Sequence, residues 1–293
     1  QRKSYVTNLL NQDGIKVVYT LDEITYKPES LYIYSSAIPI ESDRFEDFYD
    51  KENVLSRPEY LKNLSENHKI IGITGTHGKT STTALLSHIF HFNNVNVSYL
   101  YGGITTFNGI GGHYGDPDQP LILETDEAFN TFEKIKISDL LVLNVDSDHL
   151  DYFKNLDNYK DAFYKVMKNV TDNLVINNDD LNIKSMKELK NPVSYGKDIS
   201  ADFKVQSPGT FIYENNKYEI KSDIIGDHFK SNMLGAIILA LLNGIEIKDS
   251  LNAIESFAGV KRRIELIGIS KGVFIYDDYG HHPTEMEATI TAL

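Results

Sequence analysis

The stretch Lys69-Ile-Ile-Gly-Ile-Thr-Gly-Thr-His-Gly-Lys-Thr80 constrains this chain more than any other. A short apolar run feeds a glycine-rich turn that ends in Gly78-Lys79-Thr80, and a helical pattern from Ser81 to Phe92 follows at once. Strand, turn and helix in that order make a phosphate-binding loop. Backbone N–H groups and a helix N-terminus face the phosphates, the lysine neutralises charge, and the threonine hydroxyl can hold Mg²⁺. The expected ligand is a nucleoside triphosphate, cradled by Gly75, Thr76, His77, Gly78, Lys79, Thr80 and Ser81. The glycine spacing is irregular. The usual pattern puts its first glycine at position 73, which is Ile73 here, and the glycines stand at 72, 75 and 78. An ordinary strand–turn–helix junction containing Gly-Lys-Thr is the competing reading.

The net charge of −13 opposes nonspecific nucleic-acid binding, which needs a basic surface. With no cysteine, disulfides, thiolate metal sites and cysteine nucleophiles are excluded. No signal-peptide pattern opens the chain, and its longest apolar run, Ala236-Ile-Ile-Leu-Ala-Leu-Leu242, is too short to span a bilayer. These features predict a cytoplasmic protein without integral membrane association, and they leave its oligomeric state open. The chain starts Gln1-Arg-Lys-Ser without methionine, and its last helical pattern stops uncapped at Leu293. Both ends predict a piece of a longer protein.

Strands and helices alternate along most of the chain. Lys16–Tyr19 and Ser30–Ser35 are short β-rich runs in a small α/β piece, with a boundary expected near residue 63. Further strands are expected at Lys69–Thr74, Val95–Tyr101, Leu121–Glu124, Leu140–Val145 and Leu174–Asn177, with helices over Thr80–Phe92 and Leu156–Asn169. Such alternation predicts an α/β fold with a central, mostly parallel sheet. Asp202–Val205, Thr210–Tyr213 and Lys217–Ile220, separated by turn residues, read as appended antiparallel strands. Helices follow over Lys230–Asn243 and Lys248–Phe257. Val273–Tyr276 then reads as the first strand of another α/β unit, with a helix after it from Pro283.

The chemistry gathers at strand ends, where α/β sheets bind ligands. Glu124-Thr-Asp-Glu127 supplies carboxylates that could share Mg²⁺ with Thr80, although a solvated acidic loop would look the same. Asp146-Ser-Asp-His149-Leu-Asp151 follows the next strand, and His149 could bind a second divalent ion or be a structural histidine. Gly226-Asp-His228-Phe-Lys-Ser-Asn232 opens a helix from which Asn232 could read an adenine edge. In Gly259-Val-Lys-Arg-Arg263 the paired arginines could clamp phosphate oxygens, or form a solvated basic patch. Asp277-Asp-Tyr-Gly-His-His-Pro283 is a dense polar cluster suited to phosphoryl or proton transfer.

In this order, the motifs resemble the Mur ligases, the ATP-dependent amide-forming enzymes of peptidoglycan synthesis. The loop Gly75-Thr-His-Gly-Lys-Thr80, Ser35-Ser-Ala-Ile-Pro39, Gly259–Arg263 and Asp277–Pro283 are similar to the branch that joins L-alanine to UDP-N-acetylmuramate. The resemblance implies a partial Rossmann-like UDP-sugar domain over residues 1–62, a P-loop ATPase domain over 63–265, and the start of a C-terminal Rossmann-like domain over 266–293. It implies ATP and Mg²⁺, with UDP-N-acetylmuramate and L-alanine as partners. ATP would phosphorylate the sugar's lactyl carboxylate, and the amine would displace phosphate from the acyl phosphate. Lys79, His149, Arg263 and His281 then match catalytic positions. Thr80, Glu124 and His149 match metal ligands. His228, Asn232, Arg262, Asp277 and Tyr279 match nucleotide contacts, and Ser36 and His77 match sugar-nucleotide contacts. Phe229 departs from relatives that carry asparagine there, and neither Lys160 nor Lys165 aligns with the carbamylated lysine of several members. The resemblance also admits a ligase that attaches a recycled murein tripeptide to the same sugar, and a nucleotide-binding module without ligase activity is a third reading. With its C-terminal region incomplete, the segment alone is expected to be poorly active.

Overall fold

The computed structural model describes residues 3–20, 23–105, 107, 109–148, 150–186 and 189–293. They form two compact units, residues 1–67 and 68–293. In the first unit, helix α1 (Tyr5–Gln12) is started by a capping box in which Ser4 and Thr7 exchange side-chain and backbone bonds. Strands β1 (Tyr32–Tyr34) and β2 (Val54–Ser56) pair in parallel, and helix α2 (Arg57–Asn67) follows. The Tyr26, Tyr32 and Phe48 rings pack within 5.1–5.7 Å of one another. Lys16–Tyr19, expected as a strand, is irregular. The Tyr19 and Thr20 amides donate to the Glu23 carboxylate instead of to a neighbouring strand. Helix α2 runs through the expected boundary at residue 62 and ends at Asn67.

The second unit is built on one ten-stranded sheet. Its strands, in chain order, are β3 (Ile70–Thr74), β4 (Ser98–Thr105), β5 (Gly109–His113), β6 (Leu121–Glu124), β7 (Asp139–Val142), β8 (Asn173–Asn177), β9 (Val193–Gly196), β10 (Phe203–Ser207), β11 (Thr210–Tyr213) and β12 (Asn216–Glu219). Their spatial order is β12-β11-β10-β9-β8-β7-β3-β6-β4-β5. From β10 to β4 every pairing is parallel, while β5 at one edge and β11–β12 at the other are antiparallel. The expected α/β sheet with appended antiparallel strands is therefore what forms.

Helix α3 (Lys79–Phe92) follows β3 and packs against α7 (Asp227–Leu242) and α8 (Ile247–Glu255). This layer shares one core with Ile71, Ile73, Ile122, Leu141 and Val175 of the strands. Side chains alternate along a strand, so Ile70, Leu140 and Val142 meet the opposite layer. That layer holds the short helix α4 (Leu150–Phe153), α5 (Leu156–Lys168) and the 3₁₀ turn Ala128–Lys134, where Phe132 meets Phe163 edge-on. β3 is buried along its whole length, which explains why its sequence reads as a continuous apolar run rather than alternating. Likewise, α7 is buried at every position from Asn232 to Ala240, as its uniformly apolar sequence requires. Away from the loop, the buried Asp139 carboxylate is held by the Lys69 ammonium at 2.9 Å and by the Asn173 amide at 2.6 Å.

A short helix α6 (Leu181–Lys184) follows β8. After α8 come β13 (Glu265–Ser270), β14 (Val273–Asp277) and α9 (Pro283–Ala292). β14 pairs antiparallel with β13 across a two-residue turn, Lys271-Gly272, in which both residues have positive φ. Among the described residues no helix is long and apolar enough to cross a membrane. Ile238 is fully buried in α7. We expect Ile238→Ala to destabilise the second unit by about 2–5 kcal/mol, read as a lower denaturant midpoint.

Candidate active site

The loop between β3 and α3 turns on two glycines. Gly75 has φ 144°, and a Cβ there would meet the Leu143 Cβ at 3.0 Å. Gly78, the residue capping α3, has φ 83°, and a Cβ on it would overlap the Asn232 amide. Glycine is needed at both places, for conformation and for close approach. Position 73, where the usual pattern has glycine, is still inside the buried strand β3.

Residues beyond β7 hold the loop's backbone. Asn144 accepts the His77 N–H at 2.8 Å and returns its amide to the His77 carbonyl at 2.9 Å. The Asn144 carbonyl accepts the Thr76 N–H at 3.1 Å. The Thr76 hydroxyl accepts from the Asp146 N–H at 2.8 Å and lies 3.0 Å from the Tyr159 hydroxyl.

Lys79 turns its ammonium to the Gly75 and Thr76 carbonyls, at 2.6 and 3.1 Å, and to Glu127 at 2.9 Å. Glu127 is fully buried, and burial pushes its carboxyl up despite the opposing charge of Lys79. Tyr159 donates to the same carboxylate at 3.3 Å, and burial pushes its own hydroxyl up strongly. One strand across, the Thr80 hydroxyl donates to Glu124 Oε1 at 2.7 Å, while Glu124 Oε2 takes the Gly102 N–H at 2.7 Å. Two hard oxygens side by side at the helix start suit Mg²⁺, which favours oxygen ligands. His149, expected to bind a second divalent ion, lies outside the described residues.

Beside the loop opens a cleft of about 490 Å³. Of the expected residues, His77, Gly78, Ser81, His228, Asn232 and Arg263 line it. His228 stands in the first turn of α7, where burial lowers its affinity for a proton. Lys79, Thr80 and Glu124 sit behind the loop rather than on the cleft wall. Arg262, Asp277, Tyr279 and His281 gather at the end of the β13–β14 hairpin and do not line the cleft either. The guanidinium groups of Arg262 and Arg263 lie 5.0 and 5.2 Å from the Tyr279 ring, and Arg262 reaches Asp277 at 3.5 Å. His281 is exposed, with Nδ1 3.3 Å from the Tyr279 carbonyl. Ser36 lies on an exposed turn of the first unit.

His77, Asp146 and His282 also converge. Carboxylates already occupy both His77 ring nitrogens, and His282 caps α9 through Nδ1 and faces the Ser147 carbonyl through Nε2. This group is held together by hydrogen bonds. Sequence reasoning passed over Asn144, Tyr159 and Glu285. Asn144 carried a usable signal, its place just after an apolar strand, whereas Tyr159 and Glu285 come from helices distant in the chain.

The sequence matches the Mur ligase middle domain over residues 73–240, more than half of the chain. The chain belongs to the Mur ligase family. It is 35% identical over 305 residues to UDP-N-acetylmuramate–L-alanine ligase of Clostridium botulinum, an alignment covering 99% of this chain and 66% of that relative. It is 34% identical to the enzyme of the same name from Caldicellulosiruptor bescii, covering 100% of this chain and 68% of the relative. The chain thus spans just under two thirds of the Clostridium relative's length. The crystal structure of UDP-N-acetylmuramate–alanine ligase from Thermotoga maritima superposes with a TM-score of 0.82 at 24% identity, covering 99% of this chain and 70% of that one, and so shares its fold.

In this member of the Mur ligase family, Gly78 joins positive φ to a crowded neighbour. We expect Gly78→Ala to cost about 1–3 kcal/mol of stability by displacing Asn232, read as a lower denaturant midpoint.

Proposed function

We propose that the chain carries the ATP- and Mg²⁺-dependent core of a ligase joining L-alanine to the lactyl carboxylate of UDP-N-acetylmuramate. The observation that carries this reading is the pairing of Lys79 and Thr80 on the loop with Glu127 and Glu124 at the end of β6. The names of the relatives supply the substrates. In this reading residues 1–62 belong to the UDP-sugar domain, 63–265 to the ATPase domain and 266–293 to the start of the C-terminal domain. The sugar nucleotide and L-alanine are its partners, and the cytoplasm, where nucleotide-linked precursors and ATP meet, is its place of work.

A carboxylate is a poor electrophile, and transfer of a phosphoryl group onto it creates a leaving group. The charge on that phosphoryl must be neutralised as it moves. Lys79 is placed to give up a loop carbonyl for a phosphate oxygen while Glu127 keeps its ammonium in position. Mg²⁺, held by Thr80 and Glu124, would supply further charge neutralisation when bound. Arg263, on the cleft wall, offers a planar fork for phosphate oxygens. His228 and Asn232 present the start of α7 to the nucleotide, and Gly75 to Ser81 supply the amides around its phosphates. His149 is assigned to a second metal, His281 to the reacting groups, Arg262, Asp277 and Tyr279 to the nucleotide, and Ser36 and His77 to the sugar nucleotide.

The test is phosphate release with UDP-N-acetylmuramate, ATP and Mg²⁺, with L-alanine and the murein tripeptide compared as acceptors. Release that depends on L-alanine supports the proposal. Release that depends on the tripeptide moves the protein to the other branch, and release that depends on neither overturns the ligase reading. We expect Lys79→Ala to lower turnover by about a hundredfold or more. Glu124→Ala should raise the Mg²⁺ concentration needed for half-maximal rate.

A further inference from the structure

His77 has a carboxylate at each end of its ring. Nδ1 lies 3.2 Å from Glu285 Oε1, in the first turn of α9, and Nε2 lies 3.3 Å from Asp146 Oδ2, just after β7. A neutral imidazole has one N–H and one lone pair, so one of these contacts would set a lone pair against a negative oxygen. An imidazolium donates to both. Asp146 and Glu285 would also repel each other without a cation between them. Two more bonds reach from α9 to the same place. The Thr284 hydroxyl donates to Asp146 Oδ2 at 2.7 Å, and His282 Nε2 faces the Ser147 carbonyl at 3.2 Å. The start of α9 is thereby fastened beside the phosphate loop, and with it the polar cluster Asp277–Pro283 that precedes it.

We propose that Glu285 and Asp146 are positioning residues which, through a His77 imidazolium, clasp α9 and the Asp277–Pro283 cluster against the phosphate loop. The part this clasp plays in turnover rests on the nucleotide-dependent ligase reading, but its existence does not.

Other titratable or charged groups described around the clasp are His282, His281, Arg263 and Lys79. The His282 ring lies 4.8 Å from His77, His281 Nδ1 lies 3.8 Å from Glu285, and the Arg263 charge also favours the Glu285 carboxylate. Lys79 faces away, toward Glu127. Burial pulls the His77 proton affinity down, but the hydrogen bonds and charges of Glu285 and Asp146 outweigh it and raise the net value above the ordinary 6.5. The hydrogen bond from His77 leads in holding Glu285 down to about 2, against burial. For Asp146, burial pushes up, and the Thr284, Ser147 and His77 bonds outweigh it and hold the group below its ordinary value.

The signs give a window. A raised histidine contributes fully below 6.5, and that contribution is lost as pH rises through its folded value. A lowered glutamate contributes above 4.5, and that contribution is lost as pH falls toward about 2. The clasp is therefore closed below 6.5, down to the acid range in which Glu285 protonates, and it opens as pH rises through the raised His77 value.

The experiment is a ¹⁵N-histidine NMR titration of the nucleotide-free chain, with hydrogen exchange of the α9 amides followed over the same pH range. We expect His77 to stay protonated on both nitrogens above pH 6.5. The α9 amides should lose about tenfold or more of their protection as His77 deprotonates, the worth of one charge-assisted hydrogen bond. Glu285→Gln and Asp146→Asn should each lower the His77 midpoint, and Glu285→Gln should leave α9 poorly protected at every pH. A His77 midpoint at or below 6.5, a midpoint that Glu285→Gln does not move, or α9 protection indifferent to His77 overturns the proposal. With turnover measured as well, Glu285→Gln should shift the alkaline limb of the kcat profile to lower pH, and an unmoved limb overturns the positioning role. If the NMR behaviour holds but ATP is not turned over with any acceptor, the ligase reading fails and the clasp stands.

Discussion

An ammonium and a carboxylate withdrawn from water together, Lys79 and Glu127, govern the loop end of the sheet. Glu127 is fully buried, and such a charge is tolerated only with a partner and with hydrogen bonds to spare. Lys79 is that partner, Tyr159 adds a hydroxyl, and the remaining ammonium protons go to the Gly75 and Thr76 carbonyls. The pair therefore pins the backbone of the turn as well as the side chain. Removing one member of such a pair typically costs about 3–5 kcal/mol, because the other is left buried and unpaired.

The sheet order is what makes this pairing available. β6 and β7 follow β3 in sequence by many residues yet flank it on either side, so their carboxyl ends deliver Glu124 and Glu127 from one direction and Asn144 and Asp146 from the other. The crevice of an open parallel sheet lies where successive connections diverge, and the glycine-rich loop stands there. α7 then brings Asn232 against Gly78 from the facing helix layer. The loop is thus framed by three separate parts of the chain, and its glycine spacing follows from this crowding. The strand stays regular through Ile73, and glycine recurs only where β7 and α7 press closest.

Strong periodic elements were legible from sequence alone. β3, β6, α3, α5 and α8 lie within about two residues of their expected limits, since each carries an apolar run or amphipathic repeat whose ends are marked by turn or capping residues. Weak elements were not. β5 reads Gly-Ile-Gly-Gly-His, where Ile110 alone favours a strand among three glycines, and it exists because it pairs with β4. β9 is only Val193–Gly196, stabilised between β8 and β10. Lys16–Tyr19 had the propensity but no ladder. The site divides the same way. Lys79, Thr80, Glu124, His228, Asn232 and Arg263 stood out from residue type and strand-end position. Tyr159 and Glu285 gave no local sign, because what they do depends on partners 32 and 208 residues away.

Residue order alone therefore determined the α/β class, the glycine-rich loop between strand and helix, and the set of acids, histidines and arginines around it. Backbone propensity and the chemistry of a helix N-terminus are local properties, and a dozen residues suffice to express them. Tertiary structure decided which charges are buried together, which groups face the cleft, and that His77 stands between two carboxylates. Burial, dielectric and proton affinity belong to the space around a group, and that space is filled by side chains far along the chain.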